Sequence, residues 1–282
     1  VNVDSHLDNK TGLLYVVATP IGNLQDFSPR AQMILQQVDL IAAEDTRHSR
    51  HLLNHFGIMT SLQSLHEHNE RPQTHYFLQR LQKGESIAII SDAGTPLISD
   101  PGAWLVQAAL KAQIAVIPIP GPSALISALS VAGFSAERFV FEGFLPTKSA
   151  ARRHRLEILA QETRTLVFYE APHRLLACLD DMVQVFGQQR EAVLVKELTK
   201  IFETVHRQSL VEIIHWLKID EQRQKGEFVI IVQGYLPIED EVSEETKRIF
   251  RILHSQLPLK QAAKLASEIT GVSKNKLYAL GI

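Results

Sequence analysis

The residues best equipped for chemistry sit directly after short apolar runs. The longest such segment is Ser91-Asp92-Ala93-Gly94-Thr95-Pro96-Leu97-Ile98-Ser99-Asp100-Pro101-Gly102. It gathers two carboxylates, three small hydroxyls and several unhindered backbone N–H groups. Asp92 suits accepting hydrogen bonds from sugar hydroxyls or holding an amino group. Asp100-Pro101 also has the form of a helix start, with Asp as cap and Pro in the first turn. The segment is longer than the usual connection of ~4–6 residues, which asks for more than a turn.

Other segments follow the same plan. Ala43-Glu44-Asp45-Thr46-Arg47-His48 places acids at a run's end, where Asp45 or Thr46 suits a helix cap and Arg47 suits pairing with them or a phosphate contact. Ala18-Thr19-Pro20-Ile21-Gly22-Asn23-Leu24 is a turn in which Pro20 fixes the backbone and Gly22 permits close approach. Ile119-Pro120-Gly121-Pro122-Ser123-Ala124 reads as a hinge, with Ser123 either capping the next helix or facing a ligand. Tyr169-Glu170-Ala171-Pro172-His173-Arg174, Lys196-Glu197-Leu198-Thr199-Lys200 and Lys225-Gly226-Glu227 also stand at run ends. No G-x-G-x-x-G and no Walker A loop is present, which argues against a dinucleotide fingerprint and a P-loop NTPase. His48, His51 and His55, and His66 and His68, lack the spacing of a zinc site, and no cysteine supports one, so no metal is expected.

These segments need a scaffold that brings them to one edge. Apolar runs at 13–18, 39–43, 86–90 and 114–117 read as strands. Helical patterns at 29–38, 46–56, 70–83 and 101–111 lie between them. That alternation predicts α/β units around a mainly parallel sheet. Ligands then collect at the carboxyl ends of the strands. Past the hinge, runs at 139–143, 165–169, 192–196 and 227–232, with a shorter one at 203–206, predict a second α/β series. The expected division is a loose tail at 1–11, α/β domains at 12–120 and 121–238, and a helical extension at 239–282.

Composition narrows the function classes. The chain has 282 residues, 45% hydrophobic and 21% charged, which excludes disorder over most of its length. Cys178 is the sole cysteine, which excludes a disulfide framework and fits a reducing, cytoplasmic setting. No apolar run approaches the ~20 residues of a membrane span, and residues 1–6 lack the layout of a signal peptide. The net charge of −2 argues against a uniformly basic nucleic-acid binder. Local basic patches remain. Residues 148–155 hold four Lys or Arg and no acid, and Lys148, Arg152 and Arg155 share one helical face. That strip suits an anionic partner or a solvated face. Residues 239–245 carry five acids and read as a linker, whereas 246–282 carry seven Lys or Arg and one acid. Near the end, Gly271 suits a helix C-terminus and Ser273 an N-cap, giving a helix-turn-helix outline whose second helix carries Lys274 and Lys276. It suits either nucleic acid or packing on the body or a partner subunit.

Taken in order, these segments resemble the tetrapyrrole methylase superfamily, and within it the branch acting on ribosomal RNA. The resemblance spans residues ~12–235 and rests on the ordered set of segments quoted above. It implies two α/β domains with S-adenosylmethionine in the cleft between them, and a homodimer. By position it implies cofactor contacts from Pro20, Ser91, Asp92, Ala93, Gly94, Thr95, Ile98, Ser123, Ala124, Tyr169, Leu198 and Gly226. The implied reaction is 2′-O-methylation of a cytidine in 16S ribosomal RNA at the decoding centre. A base could take the hydroxyl proton, and Asp100, Lys196, Glu197 and Glu44 are the candidates. Arg47, Lys148, Arg152, Arg155, Lys274 and Lys276 are the candidate RNA contacts. The rival readings are a tetrapyrrole methylase and a non-catalytic RNA-binding or ribosome-assembly protein.

Overall fold

The computed structural model describes residues 12–236 and 242–280. The tail at 1–11 and the acids Glu239, Asp240 and Glu241 lie outside the described residues. The described residues form two compact units, one ending at Gly234 and the other starting at Tyr235.

The first unit contains two sheets. The first has strands β1 (Leu14–Val17), β2 (Leu40–Ala43), β3 (Leu62–Ser64), β4 (Ile87–Ile90) and β5 (Val116–Ile119). They run parallel in the order β3-β2-β4-β1-β5. Alternate residues of these strands fill two apolar layers. Val17, Ile41, Ala43 and Ile90 pack under α1 (Pro29–Gln37) and α2 (Thr46–His55). Leu14, Leu40, Ala42 and Ile87 pack under α3 (Glu70–Gln82) and α4 (Ala103–Lys111). The helix following β1 therefore covers one face and the helix following β4 the other. Adjacent strands whose connections leave to opposite faces open a crevice at their carboxyl ends. An isolated bridge between Thr19 and Gly94 ties the two loops together there. The short, half-polar β3 was not evident in the sequence.

The second sheet holds β6 (Phe139–Phe144), β7 (Thr165–Glu170), β8 (Glu191–Lys196), β9 (Thr204–Ser209) and β10 (Phe228–Val232), in the order β6-β7-β10-β8-β9. It is mixed, with only β6 and β7 parallel. The helices α6 (Ser149–Leu159), α7 (Leu175–Phe186) and α8 (Leu210–Ile219) bury one face. Helix α5 (Ala124–Val131), just past the hinge, packs on the other. The expected boundary at 120 thus separates two sheets within one compact unit.

The second unit comprises α9 (Glu244–His254), α10 (Leu259–Thr270) and α11 (Lys274–Ala279) around Val242, Phe250, Ala262, Ala266 and Leu277. Gly271 ends α10 in the left-handed conformation and the Ser273 hydroxyl caps α11. Glu244 and Glu245 are not linker. They form the first turn of α9 and pair with Lys247, Arg251 and Arg248.

Candidate active site

Parallel β1, β2 and β4 deliver their following loops to one edge of the first sheet, and the second sheet presents its α5 face opposite. Between them lies a cavity of about 410 Å³. Its wall from the first sheet is Ile21, Glu44, Asp92, Ala93, Gly94, Thr95, Ile98, Ser99 and Asp100. Ser123 and Ala124 come from the hinge, and Phe144, Tyr169, Glu170, Val195, Leu198, Glu227 and Val229 from the second half.

Two of these side chains are free because distant residues do their expected local work. Helix α4 begins at Ala103 with Gly102 at the cap position, so Asp100 is not its cap. The Glu70 carboxylate takes that role, accepting from the amides of Gly102 at 2.9 Å and Trp104 at 2.7 Å. Ser123 precedes α5, but its side chain makes no capping bond. The Leu125 amide instead donates to the Tyr169 hydroxyl at 3.0 Å. Asp100 and Ser123 are left to line the cavity. Asp45, by contrast, caps α2, accepting from the amides of Arg47 and His48. Because the Tyr169 hydroxyl, not that of Ser123, takes up the Leu125 amide, Tyr169→Phe should destabilise the protein by about 1–3 kcal/mol through an unpaired first-turn amide. Equilibrium urea unfolding measures this, and an unchanged midpoint would refute the capping role.

The cavity is acidic. Glu44, Asp92, Asp100, Glu170 and Glu227 line it, and no Lys, Arg or His does among the described residues. Crowding raises proton affinity. Burial first, then the Glu44 charge, pushes the Asp100 carboxyl up to about 6, against a hydrogen bond from Ser91. Burial and the Asp92 charge also raise Glu44. Asp92 is fixed by the Asp45 amide at 3.0 Å. Gly94 has φ +82°, and a Cβ there would lie 3.3 Å from Ile21, so this loop is shaped for glycine.

Of the expected cofactor residues, Asp92, Ala93, Gly94, Thr95, Ile98, Ser123, Ala124, Tyr169 and Leu198 line this cavity. Pro20 and Ser91 do not, and both line a smaller neighbouring cavity. Gly226 is also outside it. A Cβ at its φ of +103° would sit 2.6 Å from the Glu197 side chain, so its role is to admit that side chain. Among the candidate bases, Glu44 and Asp100 are in the cavity, but Lys196 and Glu197 are not. The Lys196 ammonium donates to the Gln222 carbonyl at 2.6 Å. Burial pushes the Glu197 carboxyl up, but the Glu227 amide and the Lys200 ammonium outweigh it and hold it below the usual range. A committed ammonium and an ion-paired carboxylate make poor bases.

Sequence reasoning missed Ile21, Phe144, Glu170, Glu227 and Val229 as lining residues. A signal existed for Phe144. Gly143, at φ +62°, interrupts the β6 register and re-aims the strand end.

The basic strip is corrected. Arg152 is buried and ion-paired with Asp181 at 2.7 Å. Arg155 makes a bidentate pair with Glu142 at 2.7 and 2.8 Å. Lys148 is exposed, and so is Arg47, which lies against Asp45 at 3.3 Å. Lys274 is exposed and Lys276 half-buried on α11. Among the described residues, no group of three His, Cys, Asp or Glu is placed to hold a metal ion, and no helix is long and apolar enough to cross a membrane.

Comparison with known proteins adds an independent line. The family model for tetrapyrrole (corrin/porphyrin) methylases matches residues 13–214, and that for the RsmI C-terminal HTH domain matches 240–282. Ribosomal RNA small subunit methyltransferase I of Pseudomonas aeruginosa is 56% identical over 269 residues, 95% of each chain. The Escherichia coli O157:H7 protein of the same name is 53% identical over 96% of this chain and 95% of its own. Among solved structures, uroporphyrin-III C-methyltransferase from Thermus thermophilus, complexed with S-adenyl homocysteine, superposes with a TM-score of 0.56. It is 16% identical and aligns over 78% of this chain and 97% of its own, a likeness of fold.

Proposed function

The chain belongs to the tetrapyrrole (corrin/porphyrin) methylases, and from that membership we propose that it methylates the 2′-hydroxyl of a cytidine ribose in 16S ribosomal RNA, using S-adenosylmethionine. The relatives at 53–56% identity are named for ribosomal RNA, which favours RNA over a tetrapyrrole as substrate. The observation that carries the chemistry is the charge of the cavity. Of the five carboxylates lining this space, which is large enough for a small cofactor, Glu170 and Glu227 are paired with Arg174 and Lys200, and Glu44, Asp92 and Asp100 give the cavity its negative charge. Such a lining attracts a sulfonium and repels most anionic metabolites. The apolar wall of Ile98, Val195, Leu198 and Val229 offers a surface for an adenine, and the glycine-shaped loop at 92–95 offers backbone amides and hydroxyls.

Once bound, S-adenosylmethionine supplies an electrophilic methyl group. The chain's own residues do the rest. Asp92 and the loop around Gly94 orient the donor, and the closed cleft aligns the acceptor. Good alignment of two reactants can contribute as much as ~7–11 kcal/mol of barrier lowering. Asp100 accepts the proton from the attacking ribose hydroxyl, with Glu44 and Asp92 setting its basicity. Arg47, Lys148, Lys274 and Lys276 are the proposed RNA contacts.

The finer setting is also proposed. The functional unit is a homodimer: Ile201 and Phe202 between β8 and β9 are 90% and 70% exposed, an apolar surface that a monomer leaves unused. The enzyme works in the cytoplasm, where its substrate is assembled. Incubation of isolated small subunits with tritiated S-adenosylmethionine tests the reading. Label is expected in 2′-O-methylcytidine after nuclease digestion. Label on a base nitrogen, or none in RNA, would overturn it.

A further inference from the structure

A second cavity, of about 300 Å³, adjoins the acidic one. Asp92 lines both. Pro20 and Gly22 line the second, while Ile21 between them lines the first. Ile21 and Asp92 therefore stand at the boundary of the two cavities.

Apart from the shared Asp92, no acid lines the second cavity among the described residues, and three histidines line it instead. Its outer wall is a face of α2 bearing His48, His51 and His55, all exposed and spaced by three and four residues. Helix α2 also carries Arg47 and Arg50 and contains no acid. Beneath the histidines, Ser49 lines the cavity at 2% exposure, and its hydroxyl has no hydrogen-bond partner. A buried hydroxyl without a partner is unfavourable, so a polar ligand group that reaches it gains a hydrogen bond at no competing cost. The three imidazoles are not placed as metal ligands. Imidazoles donate hydrogen bonds to phosphate and stack on bases splayed from single-stranded RNA.

We propose that this second cavity seats the acceptor nucleotide: the histidine face of α2 holds its phosphate and base, the Ser49 hydroxyl bonds its polar edge, and its ribose hydroxyl reaches across the Ile21–Asp92 boundary into the acidic cleft. The assignment rests on the ribosomal RNA reading above and adds where the RNA enters. It separates the two ligands by charge, with the sulfonium against carboxylates and the phosphodiester against the basic helix.

The test uses the full chain with isolated small subunits. Three variants are compared: the triple substitution His48→Ala, His51→Ala, His55→Ala, and the singles His51→Ala and Ser49→Ala. The triple variant should raise the KM for subunits tenfold or more and leave the calorimetric Kd for S-adenosylmethionine unchanged. Ser49→Ala should raise that KM a few-fold. If the triple variant fails to fold, the singles decide by the same KM. An unchanged KM with active wild-type enzyme overturns this inference alone. A loss of cofactor affinity in the triple variant also overturns it, because the face then serves the donor. A wild-type enzyme that leaves RNA unlabelled defeats the underlying reading instead.

Discussion

Asp100→Asn, held at saturating S-adenosylmethionine, should methylate small subunits about 10²- to 10⁴-fold more slowly, the range for loss of a general base. The pH profile separates a base from a merely structural carboxylate. With the Asp100 carboxyl pushed up to about 6, wild-type kcat/KM should plateau above that pH and fall tenfold per unit below it. The variant should lose that limb. Stability should move the other way. Between the ordinary value of 3.8 and about 6 the folded protein holds a proton that the unfolded chain has released. Folding stability therefore falls as pH rises through that window, and the deficit persists at pH 7. Removing the charge should relieve about 1–3 kcal/mol of it. A variant that keeps full activity, or keeps the acid limb, would refute Asp100 as the base.

Arg152→Ala carries the second large effect, and it concerns stability rather than RNA. Arg152 and Asp181 have side chains only 4% and 5% exposed. The guanidinium also donates to the carbonyls of Pro146, Thr147 and Ala177. Truncation would leave the Asp181 carboxylate inside with the Ser149 hydroxyl and the more distant Arg153 at 3.6 Å. Breaking a buried pair from one side costs about 3–5 kcal/mol. Urea unfolding should show that loss. The salt dependence of RNA binding should keep its slope, since no phosphate contact is removed. Arg152→Met combined with Asp181→Leu should recover most of the stability. A loss below about 1 kcal/mol together with a flatter salt slope would restore Arg152 to an RNA-facing strip.

These two residues mark how far the sequence could be read. The parallel first sheet was legible, because apolar runs alternate with helical patterns. That alone places Glu44 and Asp92 at one edge. Lys148, Arg152 and Arg155 have the spacing of one helical face, but Lys148 stands at the cap of α6 and is exposed, Arg152 is buried and Arg155 is exposed. The same helix offers a competing stripe, since Arg152, Leu156 and Leu159 are its buried residues and fall at the same intervals. Charge type hid an inward position. Local pattern also assigned caps to the nearest suitable side chain. Yet the donors of α4 and α5 are satisfied from Glu70 and Tyr169, 32 and 44 residues away. No short-range rule sees such partners, and those partners are what release Asp100 and Ser123 into the cleft. The direction of strands in the second sheet was equally hidden, because direction depends on the path of each connection rather than on the strand's own residues.

The Tyr169 hydroxyl has a consequence for the order in which the chain is made. The first sheet is complete once Ile119 has been synthesised, since its last strand ends there. Helix α5 comes next, but the hydroxyl that holds its first turn belongs to a residue 44 positions later. The apolar floor beneath it, Val167, Val193 and Ile231, also arrives later. A growing chain can therefore settle its first half early, as domains do during synthesis. The hinge and its helix must wait for the second sheet. The cleft is thus the last part of this unit to take shape, and a nascent chain cannot hold its cofactor before the C-terminal half has emerged.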